Sequence, residues 1–97
     1  RFGRAGGFVV VDLPDMSVSY IDNGASQTMS MGAGIETAER VANAGVQVVL
    51  SGYVGPKAFD ALKAAGIKVC QDVSGTVREA VERFQKGEFP FADAPNK

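Results

Sequence analysis

The 97 residues suffice for one α/β domain, residues 1–97, around one core, because a chain of this size buries only roughly 60–65 % of its unfolded surface. Ten basic and eleven acidic residues give a net charge of −1, so no basic excess points to nucleic acid or to an anionic membrane surface. Histidine is absent and cysteine occurs once, at Cys70, which excludes a Ser-His-Asp triad, a Cys-His pair, a Cys/His zinc site, a four-Cys iron–sulfur site and an internal disulfide.

Residues 7–13 (GFVVVDL) are apolar and β-branched, which predicts a buried strand. Pro14-Asp15 signals a turn, and residues 16–22 (MSVSYID) alternate, which predicts an edge strand hairpinned to the first. Residues 23–34 are small, polar and glycine-bearing, and read as a long loop. Residues 35–44 repeat apolar positions at helical spacing, with Gly45 as the stop. A second buried strand follows at 46–50, then a tight loop at 51–55. Pro56 opens the next helix, where its missing N–H costs little, and Gly66 ends it. Residues 67–70 are a third buried strand. After a loop at 71–75, Thr76-Val-Arg-Glu79 has the form of a capping box, and that helix stops at Gly87. The tail carries Phe89 and Phe91, rings able to staple it to the body. The order is ββαβαβα: an antiparallel hairpin joined to parallel strands with right-handed crossovers, in a mixed sheet.

The lone cysteine points to a reducing compartment, hence the cytoplasm. No apolar run approaches eighteen residues and no signal peptide is visible, so the expectation is of no export by that route and no membrane contact. Residue 1 is arginine rather than methionine, which fits a fragment of a longer chain.

Ligands of open α/β sheets sit beyond the carboxyl ends of the strands. Loops 51–55 and 71–75 lie there, and the 31–34 loop is brought alongside by the topology. Each leads into a helix N-terminus, where unpaired N–H groups and the macrodipole favour an anion. Three such termini on one rim make a cradle that needs no basic side chain. Gly32, Gly34, Gly52 and Gly55 allow close backbone approach, or merely shape turns. Arg1 and Arg4 flank Gly3 before the first strand, and arginine binds oxyanions through paired hydrogen bonds. Lys57, in the first turn of its helix, is placed to close on an anion, or is simply a solvated lysine. Met29 and Met31 offer soft sulfur suited to copper(I), although methionine is commonly apolar filler. Cys70 reads as a small core residue. Asp12, Asp15 and Asp22 cluster at the hairpin and do not converge as a two-metal site would require. Neither a Walker lysine motif nor Gly-x-Gly-x-x-Gly after a strand is present.

Taken in order, the segments RFGRA (1–5), MGAGI (31–35), LSGYVGPKAF (50–59), AAGIKV (64–69) and GTVREA (75–80) resemble the dinitrogenase iron–molybdenum cofactor biosynthesis family over nearly the whole chain. The resemblance implies a ribonuclease-H-like fold and non-catalytic, non-covalent binding of a metal–sulfur cluster, molybdenum–copper–sulfide included. It carries the cofactor site onto Arg1, Phe2, Gly3, Arg4, Met31, Gly32, Ala33, Gly34, Gly52, Val54 and Gly55. Many members of that family have histidine where Arg1 stands, so imidazole ligation is not expected here. The resemblance also implies a further, central strand ahead of residue 1; without it the sheet must be completed by another segment or another chain. The expected partners are the inorganic cluster and a protein that receives it. The alternative is a regulatory protein–protein interaction module whose glycine loops are purely structural. A ribonuclease-type hydrolase is disfavoured by the carboxylate placement.

Overall fold

The hydrophobic segment after Gly6 forms the first of four strands in the computed structural model, which describes residues 2–13, 15–27 and 32–95. Strand β1 (Gly7–Asp12) pairs antiparallel with β2 (Ser17–Asp22) in an unbroken register from Gly7↔Asp22 to Asp12↔Ser17. Strand β3 (Val48–Leu50) pairs parallel with β4 (Lys68–Cys70). Both expected kinds of pairing are present, but they are divided between two two-stranded ladders.

The helices are α1 (Gly24–Gln27), α2 (Ala33–Asn43), α3 (Pro56–Ala64) and α4 (Val77–Gln85), and a 3₁₀ turn spans Phe2–Arg4. Two features depart from the expected elements: the short α1 lies inside the predicted loop, and the 3₁₀ turn carried no periodicity to announce it. Helix α3 shows why the stops fall where they do. Gly66 adopts φ +78°, its N–H donates to the Lys63 carbonyl, and the Ile67 N–H donates to the Leu62 carbonyl. This is a Schellman ending, and the buried Ile67 and Leu62 supply its usual hydrophobic contact while the chain turns into β4. Gly45 repeats the arrangement after α2 with the Ala42 and Val41 carbonyls.

One core cluster joins these elements. It contains Ala38 and Val41 of α2, Val49 of β3, Ala58, Phe59 and Leu62 of α3, Val69 of β4, and Phe2, Val54 and Ile67 from connecting segments. The hairpin contributes only its inner face: Phe8 and Ile21, cross-strand partners, pack on the core, and the Phe8 ring lies 5.2 Å from that of Phe2. The outer face keeps Val9, Val18 and Tyr20 in solvent.

The tail does staple to the body. Ala92 N–H donates to the Val69 carbonyl, the Gln71 amide donates to the Ala94 carbonyl, and Lys68 Nζ lies 5.1 Å from the centroid of the Phe91 ring. No helix among the described residues is long and apolar enough to cross a membrane.

Candidate functional site

The first turns of α2 and α3 are brought together by missing side chains. A Cβ on Gly34 would come within 2.9 Å of the Ala58 Cβ, and a Cβ on Gly3 within 2.9 Å of the Gly34 backbone. The 3₁₀ turn therefore lies directly on the start of α2, which in turn lies directly on α3. A hydrogen bond from the Phe2 N–H to the Tyr53 carbonyl at 2.9 Å holds this stack, and the Thr37 Oγ1 lies 3.5 Å from the Gly3 carbonyl.

Beneath the 3₁₀ turn lies a buried polar hub, Asn23. Its amide nitrogen donates to the Ala5 carbonyl, and its Oδ1 accepts from the Thr37 hydroxyl and from Arg40 Nε. Its backbone N–H donates to the Gly6 carbonyl. Arg40 in turn pairs with Glu36 on the same helix. Asn23 so ties the end of the hairpin, the segment leading into β1 and helix α2 into one unit.

Between the stacked elements opens a cleft of about 340 Å³. Its walls are Phe2, Gly3 and Arg4 from the 3₁₀ turn, Gly32, Ala33 and Gly34 from the start of α2, and Tyr53, Gly55, Pro56, Lys57 and Ala58 from the entry into α3. Among the described residues two cationic side chains, Arg4 and Lys57, line it, and no acidic one does. Both helices that open on it begin at glycine, Gly32 with φ 79° and Gly55, and neither N-cap supplies a side-chain acceptor. Their first-turn amides and macrodipoles add to the positive charge of the cleft; Glu36, in the first turn of α2, is paired with Arg40 and is not part of the wall.

Helix α4 behaves differently. Thr76 accepts from the Glu79 N–H, and Glu79 accepts from the Thr76 N–H, the reciprocal box its sequence predicts. Those bonds, first the one from the Thr76 backbone, hold the Glu79 carboxyl below the usual glutamate range. The N-terminus of α4 is thus satisfied by its own side chains, and no residue of the 71–75 loop lines the cleft. The expected rim of three helix starts is a rim of two.

The expected site residues divide accordingly. Phe2, Gly3, Arg4, Gly32, Ala33, Gly34 and Gly55 line the cleft, with Phe2 and Ala33 otherwise buried. Val54 is fully buried in the core and Gly52 packs near the Val73 carbonyl; neither is part of the wall. Arg1 and Met31, with Met29, lie outside the described residues. For Gly3 and Gly34, packing alone accounts for the glycine. Tyr53, Pro56 and Ala58 were not anticipated; the Gly-Tyr-Val-Gly-Pro run names the loop but gives no sign of which side chains turn outward.

The donor set decides what kind of guest fits. Cys70 is buried at the end of β4, its thiol directed to the Phe89 carbonyl at 3.9 Å, and burial pushes its pKa up. It is absent from the cleft wall. Among the described residues no three Asp, Glu or Cys side chains converge as metal ligands. A bare cation would find no anionic ligand in the cleft. An anion that brings its own sulfide or oxide ligands would meet N–H groups, a guanidinium and an ammonium.

Comparison with known proteins agrees with this architecture. The chain is 63% identical to the orange protein from Desulfovibrio gigas, solved in its apo form, with a TM-score of 0.98 over all of this chain and 82% of that one. It is 30% identical to a Thermotoga protein described as NifB-like, with a TM-score of 0.82 over all of this chain and 82% of that one. An uncharacterized protein of Methanocaldococcus jannaschii is 30% identical over 92 residues, 92% of this chain and 77% of its own length. The family described as dinitrogenase iron-molybdenum cofactor matches residues 1–87. The chain belongs to the dinitrogenase iron–molybdenum cofactor family.

Proposed function

We propose that the chain is a non-catalytic binding or carrier protein for an anionic molybdenum–sulfur cluster, molybdenum–copper–sulfur in particular, docked without covalent attachment in the cleft between the 3₁₀ turn and the starts of α2 and α3. The observation that carries this reading is the cleft's charge. Two helix starts without side-chain caps meet Arg4 and Lys57, and no carboxylate shares the wall. Family membership, and a close relative described in an apo form, support a metal cluster as the class of cargo.

The protein's part is electrostatic. A thiometallate already has its metal valences filled by sulfide, so it needs hydrogen-bond donors rather than thiolate or imidazole. Arg4 would contribute a bidentate donor, Lys57 a mobile point charge, and the amides of the two first turns a fixed positive lining. Phe2, Tyr53 and Ala58 would supply the apolar floor that a sulfide surface tolerates. Of the residues outside the described part, Arg1 would add a second guanidinium and Met31 a soft thioether. Charge-assisted hydrogen bonds contribute about 1.5–3 kcal/mol each, so four or five give roughly micromolar binding after ordering costs.

The test is reconstitution. Protein incubated with tetrathiomolybdate and copper(I) should keep a visible charge-transfer absorption through desalting. Absorption that leaves entirely with the small-molecule fraction would refute the reading.

A further inference from the structure

The outer edge of β2 is an open pairing site. No strand lies beyond β2 among the described residues, and its register with β1 runs one to one without a bulge. Natural sheets protect exposed edges with lysine, proline, a bulge or a covering segment. The other ladder follows that rule: the tail crosses β4, with Ala92 N–H bonded to the Val69 carbonyl. Strand β2 (SVSYID) has no lysine and no proline, and no strand among the described residues pairs with its outer edge.

Its faces also carry information. Val18 and Tyr20 point to one side, 67% and 65% exposed, opposite Val11 and Val9 of β1. Tyr20 is held there, because its ring lies across Gly7: a Cβ on Gly7 would fall 1.9 Å from the Tyr20 hydroxyl. Ser17 and Ser19 point to the other side and are also exposed. Every charged residue from 7 to 22 is acidic: Asp12, Asp15 and Asp22. All three are exposed, and hydrogen bonds from Ser17 hold Asp15 below the usual aspartate range, so it stays ionised.

We propose that this edge receives an extended, basic segment of a partner protein as a third strand. The segment would alternate apolar and basic residues. Its apolar side chains would lie beside Val18 and Tyr20, and its lysines or arginines would lie toward the serine face, where Asp12 stands opposite Ser17, with Asp15 in the turn beside it; Asp22 adds its charge from the Tyr20 face at the far end of the strand. Main-chain hydrogen bonds supply the attachment, as in other strand-addition complexes, and the acidic hairpin supplies the selection. The proposal is independent of what the cleft binds.

A peptide alternating valine and lysine, and its counterpart with glutamate for lysine, test this by NMR on the whole chain. The lysine peptide should slow exchange of alternate amides within residues 17–22, and its affinity should fall about fivefold between low and physiological salt. Val18→Lys, at an exposed position, should leave the melting temperature unchanged and weaken that peptide at least about tenfold, since an ammonium now stands where the peptide's valines would pack and adds positive charge to the edge. Equal binding of both peptides, unchanged binding by Val18→Lys, or protection located away from residues 17–22 would overturn the proposal. So would protection of residues 17–22 that grows with protein concentration without peptide, which would make the occupant a second copy.

Discussion

Gly34 rests against Ala58 so closely that a methyl group on the glycine would lie 2.9 Å from the alanine Cβ. Gly3 covers Gly34 from the other side at the same distance. The cleft exists because these small residues let three chain segments converge, and its width is set by their contact.

Gly34→Ala should therefore destabilise the fold. Within a helix the exchange is ordinarily favourable by about 1 kcal/mol. Here overpacking, typically about 1–3 kcal/mol, opposes it and wins because Ala58 sits on the facing helix. Gly55→Ala is the control: its Cβ would meet nothing within 4 Å, and its backbone is extended. Thermal melts should show a loss for Gly34→Ala and a change within about 0.5 kcal/mol for Gly55→Ala.

Asn23→Ala should cost about 1–3 kcal/mol, because it leaves the Ala5 carbonyl and the Thr37 hydroxyl without their buried partner. Urea denaturation would measure it. A midpoint equal to that of the wild type would mean that water or a shifted Arg40 replaces the amide.

The capping box of α4 should respond to acid. The Glu79 carboxyl is lowered in the folded protein, so its contribution is fully present above the ordinary glutamate pKa of about 4.3 and fades as pH falls through the lower folded value. Thr76→Ala removes the same box at neutral pH and should cost about 1 kcal/mol. Helical circular dichroism of that variant should vary less between pH 5 and pH 3 than that of the wild type.

Cys70 should resist alkylation. Its thiol is buried and its pKa raised, both of which suppress the reactive thiolate. Iodoacetamide labelling in the native state should be at least about 100-fold slower than in denaturant. Comparable rates would show that β4 opens readily.

Much of the fold was legible because local signals agreed with it. The β-branched run at 7–12, the Pro56 start, the Schellman glycines at 45 and 66 and the Thr76 box each act over a few residues, and each forms where its chemistry directs. The site was only partly legible. Arg4 and Gly32 could be named, but a helix start preceded by glycine looks alike whether it opens on a cleft or caps itself. Glu79 reaching back to Thr76 is what removes α4 from the rim, and only coordinates show that the other two starts face each other. Asn23 gave no signal at all: a lone asparagine before a glycine reads as a turn residue, and its buried role depends on Thr37 and Arg40, 14 and 17 positions away. Val54 looked like a loop residue because the loop is short, yet its side chain is fully buried.

The central claim is that positive charge in the cleft holds an anionic cluster without a cysteine thiolate. The most direct measurement is retention of tetrathiomolybdate–copper absorption after desalting in wild type, Arg4→Ala/Lys57→Ala and Cys70→Ala. The account predicts full retention by Cys70→Ala and binding weakened at least about 100-fold in the double variant, from two lost charge-assisted contacts. Retention by the double variant equal to wild type, or loss confined to Cys70→Ala, would contradict it.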